Sequence, residues 1–266
     1  MGGSLSENQE VLVERLGALL TISLNRPQSR NGLRPGTCEV IAAAIDAVQN
    51  DPEIRCIVLT GKGQAFCSGA DLMSAMQDMQ GRSHGEVIRT CFHRLIRAVT
   101  GARQPVIASI RGAAVGFGFD LALACDLRIA SRNSKFGAVF SRIGLVPDGG
   151  SSFTLSRLVG LGRAVELVML AETFDGERAA AMGVVNKVVD DDQLETATAD
   201  WANRLIAGPP LAYALAKANI YKGSSSSLDE ALDNECEAQI QCLSSADAME
   251  GVGAFLQKRK PNFTGK

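Results

Sequence analysis

The 266-residue sequence is short of most things that mark a special class of protein. It has one Trp, two Tyr and two His. Three Trp or Tyr residues in all leave little for stacking on nucleic-acid bases. The net charge is −2, which gives no basic field for a polyanionic duplex. No run of about 18–20 apolar residues occurs, so no membrane span is expected. The first residues, MGGSLSENQE, lack the charged-then-apolar pattern of a secretion signal. Seven Cys are present, an odd number, with no CxxC pair. That pattern predicts reduced, mostly buried thiols in a cytoplasmic protein rather than a disulfide frame. Neither His84 nor His93 has a Cys at ligand spacing, so no metal site is expected.

What remains is an ordinary globular composition, 46% hydrophobic and 21% charged. Residues 1–9 are polar and expected to be disordered. From residue 10 to about 200, apolar strand patterns alternate with helical ones. Strands are predicted at Val11–Leu16, Ala18–Leu24, Arg55–Thr60, Pro105–Ile110, Asp126–Ala130 and Val184–Val189. Pro35 opens a helix, and a long helix is predicted over about 85–101. After Asp190 only helices are predicted, at 191–207, 210–221, 228–243 and 245–258. The order predicts a parallel α/β core over 10–200 and a helical region over 201–266.

Two strand-to-helix loops carry the chemistry. One is Phe66-Cys-Ser-Gly-Ala-Asp71; the other is Gly112-Ala-Ala-Val-Gly-Phe-Gly118. Their glycines permit close backbone approach, and a helix starting there points free N–H groups forward. If the N–H groups of Ala70 and Phe117 converge, they form an oxyanion hole, worth about 3 kcal/mol per donor to a developing charge. A dinucleotide loop is the rival reading of Gly116-Phe-Gly118. It has Leu121 where the third Gly or Ala is needed, and it falls mid-chain.

Several motifs in order give the chain a likeness. They are Asn25-Arg-Pro27, Arg30-Asn31, Phe66–Leu72, Gly112–Gly118, Ala124-Cys-Asp126, Lys135-Phe-Gly137, Gly144–Asp148 and Lys258–Phe263. With these the sequence resembles the enoyl-CoA hydratase/isomerase (crotonase) family from about residue 10 onward. The resemblance implies a crotonase-like spiral of ββα units with a C-terminal helical trimerisation region. It implies an acyl-CoA thioester as ligand, a homotrimer or dimer of trimers, and no cofactor beyond the CoA moiety of the substrate. The family usually has Gly at the position of Phe117, so this side chain is expected to narrow or redirect the acyl pocket.

Family hydratases hold a water between two glutamates. Those positions fall here on Asp120 and Phe140. A Phe cannot orient water, and Asp reaches about 1.5 Å less than Glu. Asp148, in Val146-Pro-Asp148, resembles the lone acid of family isomerases; the rival reading is a helix cap. One carboxylate suits moving a proton between two carbons. For Asp120 the rival reading is a first-turn acid that complements the helix dipole. The expectation is therefore an enoyl-CoA isomerase using Asp148, with Asp120 as a further catalytic candidate. The alternatives are a hydratase in which both acids share a water, and a non-catalytic acyl-CoA binder. Arg26, Arg30 and Lys62 are candidate cations for CoA. The substrate would run along Ala70 to Met73, with Ser68, Asp71, Leu72, Met73 and Phe140 as candidate lining residues; Asp71 also reads as a cap or brace of its loop helix. Phe255 and Lys258 align with tail positions that touch CoA, although Phe255 also suits a helix core. Asp126 reads as structural.

Overall fold

A computed structural model describes residues 10–77 and 81–266. The expected disordered stretch, 1–9, lies outside them. The chain opens with a hairpin, β1 (Val11–Leu16) and β2 (Leu19–Leu24), turning at Gly17. Helix α1 (Pro35–Ala47) follows, started by its N-terminal Pro and lying on buried Cys38, Ile41, Ala42 and Ile45. Next come β3 (Cys56–Gly61), β4 (Ala65–Cys67) and α2 (Leu72–Gln77). A continuous helical stretch is formed by α3 (His84–Val87), a π-helical turn at Ile88–Phe92 and α4 (His93–Gly101). Ser83 starts it with a capping box, exchanging bonds with Glu86.

The pattern then repeats. β5 (Val106–Ile110), β6 (Ala113–Val115) and α5 (Phe117–Ala124) make one unit. β7 (Leu127–Ser131), β8 (Lys135–Gly137), α6 (Ser151–Val159) and α7 (Leu161–Leu170) make another. Short β9 (Phe174–Asp175), α8 (Gly176–Ala181) and β10 (Lys187–Val189) close the core. Four helices follow: α9 (Leu194–Ile206), α10 (Pro210–Gly223), α11 (Leu228–Leu243) and α12 (Ala246–Leu256).

Within each unit the first strand joins one sheet and the second joins another. The large sheet runs β1-β2-β3-β5-β7-β10, parallel except for β1. The small sheet runs β4-β6-β8-β9, with only β9 antiparallel. The expected spiral of ββα units is this alternation. The strand period of two explains how both faces of the large sheet are covered. Ile57 and Leu59 of β3 face the main core, whereas Cys56 and Val58 face Leu194, Ala197 and Ala202 of α9. The expected boundary at residue 200 thus falls inside a helix that packs on the sheet. In the main core Phe119, Phe136 and Phe174 meet with ring centroids 5.9–6.2 Å apart.

Among the seven thiols, Cys38, Cys56, Cys67, Cys91 and Cys125 are buried and unpaired. Burial pushes Cys56, Cys67 and Cys125 up to about 12, which keeps them protonated and unreactive. Among the described residues no helix is long and apolar enough to cross a membrane, and no cluster of three or more His, Cys, Asp or Glu is placed to hold a metal.

Candidate active site

The two glycine loops come together. Each leaves a strand of the small sheet, and these strands, β4 and β6, are hydrogen-bonded neighbours. Gly69 and Gly116 take left-handed backbone, at φ +105° and +55°. A Cβ built on Gly69 would stand 3.4 Å from the Phe117 nitrogen. Leu33 ties the first loop: its N–H donates to Gly69 O and its carbonyl accepts from Asp71 N, both at 2.8 Å. That pairing passes over Ala70 and does not use its N–H. Phe117 is the first residue of α5, where an N–H has no carbonyl within the helix to meet.

The other glycines do something different from what their spacing suggests. A Cβ on Gly118 would lie 2.8 Å from Cys67 Cβ, and one on Gly112 would collide with the Gln64 carbonyl. They let β6 and α5 pack against the preceding unit, and the close approach they allow is to protein backbone. Phe117 turns its ring into the core, edge-on to Phe92 at 4.9 Å between centroids. Its side chain is 1% exposed.

The three acid positions differ sharply. Phe140 is 8% exposed and belongs to the main core. Asp120 is 1% exposed. Its Oδ2 accepts from Gly149 N at 2.7 Å, and its Oδ1 accepts from the Ser151 hydroxyl. Burial pushes its carboxyl up to about 7; the Ser151 and Gly149 bonds pull the other way, and the nearby Asp148 charge adds to the rise. Asp148 is half-buried in the turn before α6. Burial raises its pKa too, with His93 working in the opposite direction. It does not cap α6. The N-cap is Gly150, at φ +97°, and no side chain bonds there. His93 Nε2 lies 2.9 Å from the Asp148 carbonyl oxygen. On the far side of this turn is a cavity of about 660 Å³, walled partly by His93, Ile96, Gly149, Phe153 and Tyr221.

The candidate cations separate as clearly. Arg26 is 7% exposed, and its guanidinium donates to Gly32 O at 2.5 Å and Asp71 Oδ2 at 2.9 Å, with Glu10 at 3.3 Å. It braces the loop from inside and is turned away from solvent. Arg30 and Lys62 are exposed; Lys62 is 3.8 Å from Glu14. Asp71 accepts from Ser74 N at 3.1 Å, which is a cap on α2. Partial burial opposes ionisation, but bonds from Ser74 and Arg26 hold its carboxyl below the usual range. Ser68 donates to Ser29 O, and Leu72 and Met73 lie exposed at the start of α2. Phe255 and Lys258 stand apart, at the end of α12. Phe255 is 82% exposed, so it is no core residue of this chain.

Comparison with known proteins decides the family. The model for enoyl-CoA hydratase/isomerase matches residues 14–266. The chain belongs to the enoyl-CoA hydratase/isomerase family. The crotonase fold is borne out by solved structures: an enoyl-CoA hydratase from Bacillus anthracis superposes with a TM-score of 0.90 at 31% identity, over 97% of this chain and 100% of that one. A short-chain-enoyl-CoA hydratase from Clostridium acetobutylicum is 35% identical over 96% of this chain and 97% of its own. A 1,2-epoxyphenylacetyl-CoA isomerase from Escherichia coli is 37% identical over 93% and 95%. Relatives of both reaction types therefore stand at similar distance from this acyl-CoA enzyme of the hydratase/isomerase family.

His93 and Ser151 were missed in the sequence as parts of the site. His93 belongs to no motif, and its spacing from Asp148 is not local. Ser151 lies in the turn that carries Asp148, and only the fold shows which acid it meets.

Proposed function

We propose that this protein is an enoyl-CoA double-bond isomerase with Asp148 as its one exchanging acid. The observation that carries the reading is the contrast among the three acid positions. Phe140 offers no proton, and Asp120 is buried with both oxygens engaged. Asp148 is half-exposed and caps nothing. The N–H groups of Ala70 and Phe117 hold the thioester oxygen. With a 3-enoyl thioester, the Asp148 carboxylate takes a proton from C2. The electron pair moves toward the carbonyl, and the charge settles on the oxygen held by the two N–H groups. The same acid returns the proton at C4, and the double bond ends at C2–C3. Donors set before the reaction need not reorganise, which is where the rate gain arises.

Arg30 and Lys62, both exposed, serve the CoA phosphates at the mouth of the site. Apolar side chains left open on the tail, among them Leu243, Met249, Val252, Phe255 and Leu256, support packing against further copies as a trimer or a dimer of trimers in the cytoplasm.

The test incubates 3-enoyl-CoA and 2-enoyl-CoA with the enzyme in heavy water and follows mass. Deuterium uptake with double-bond migration and no water adduct is expected. Asp148→Asn should lower that rate by about 10²–10⁴-fold. A water adduct formed from the 2-enoyl thioester would establish the hydratase instead.

A further inference from the structure

We infer that Asp120 is a positioning residue: it holds the 148–151 turn down on α5, so that the Asp148 carboxylate stays aimed at the substrate. This rests on the reading of Asp148 as the exchanging acid.

The two donors to Asp120 follow Asp148 closely in the chain. Gly149 N–H is the next backbone group, and the Ser151 hydroxyl follows at the start of α6. Both carboxylate oxygens are taken by the turn, and the group is shut away from solvent, so it has no free oxygen to offer a substrate. The turn could not come this close with any other residue at 149. A Cβ there would lie 2.6 Å from Asp120 Cβ and 2.8 Å from the Phe117 ring. Helix α6 lacks a capping side chain of its own. The Asp120 carboxylate meets its N-terminal end from across the site, where a negative group is favoured.

The opposite side of the turn is held as well. His93, from α4, contacts the Asp148 carbonyl oxygen at 2.9 Å. Asp148 is thus fixed on its own carbonyl and on the next amide, by side chains from two different helices. Its carboxyl takes no part in these two contacts. Residues 117–120 form the first turn of α5, and that turn also presents the Phe117 N–H. One short helical segment therefore sets both the oxyanion donor and the support of the base. Orientation errors of about an ångström between such groups cost on the order of 100-fold in rate.

The experiment compares Asp120→Ala, Asp120→Asn, Ser151→Ala and Asp148→Asn in the isomerase and hydratase assays, measuring kcat and KM separately on the intact protein. Asn keeps the shape; its oxygen accepts from Gly149, and its amide donates to the Ser151 hydroxyl. Asp120→Ala is expected to lower kcat about 10–100-fold with KM little changed. Asp120→Asn should recover most of that loss, and Ser151→Ala should fall between. Asp120→Asn as inactive as Asp148→Asn would overturn the inference, because Asp120 would then exchange a proton itself. So would Asp120→Ala with unaltered kcat and only a lower melting temperature. Retained activity in Asp148→Asn would instead remove the reading of the base, whatever the Asp120 variants do.

Discussion

Asp120→Asn also has a consequence for stability that can be worked out from its surroundings. The folded protein raises this carboxyl from 3.8 to about 7, chiefly because burial penalises the charge. A group raised on folding contributes stability in full below its unfolded value, and that contribution is lost as pH rises towards the folded value. The window therefore runs from about pH 4 to about pH 7, and above it the loss is complete. The whole swing is about 4 kcal/mol, from 1.36 kcal/mol per unit. Asn carries no charge and has no such swing. The stability difference between Asp120→Asn and the native protein should therefore move in favour of Asn by about 3 kcal/mol between pH 5 and pH 8. Urea unfolding at matched protein concentration, repeated across that range, measures it. A difference that stays flat with pH, or that favours Asp more as pH rises, would refute the claim that burial dominates the Ser151 and Gly149 hydrogen bonds.

Gly149→Ala should destabilise the protein by about 1–3 kcal/mol, since its Cβ drives into Asp120 and the Phe117 ring, and should lower kcat at the same time; unfolding and turnover measured together check it. Lys217 on α10 reaches Asp126 at 2.8 Å, and Tyr221 donates to the same carboxylate at 3.1 Å. Lys217→Met leaves Asp126 half-paired, and a loss of about 3 kcal/mol in chemical unfolding is expected. Phe255→Asp, on the exposed end of α12, should lower the molar mass seen by light scattering; an unchanged mass would mean that this part of the tail does not bear on assembly.

Much of the fold was legible because the pattern is local. The short continuous apolar runs of β3 and β5 and the helical spacing in α1 mark those elements outright. The breaks at Gly17, Pro35 and Gly208-Pro-Pro210 mark the ends. Boundaries slipped where burial and pairing part company. Val184 and Val185 are buried like strand residues, yet they sit in the turn after α8, and only Lys187–Val189 pairs with β7. The helix expected over 85–101 holds a π turn at 88–92, whose extra residue leaves no mark in apolar spacing. The separation into two sheets was not legible, since it depends on partners about 20 to 60 residues away. In the candidate site, the loops and Asp148 are marked by motif. The inward turn of Arg26 is not, because Glu10 and Asp71 reach it from distant segments. Asp126 was read as structural, and its bonds to Val106 N, Lys217 and Tyr221 agree with that.

The alternation of strands between sheets bears on how the molecule opens. β3 and β4 are joined by a few residues yet belong to different sheets, and so are β5 and β6, and β7 and β8. Three stitches therefore bind the layers together. Neither sheet can peel away as a separate unit, because any strand that leaves drags on its partner across the core. Backbone amides of Ile57 in one layer and Phe66 in the other should exchange with solvent through the same rare opening. The two glycine loops leave from β4 and β6, the strands that these stitches tie to the large sheet.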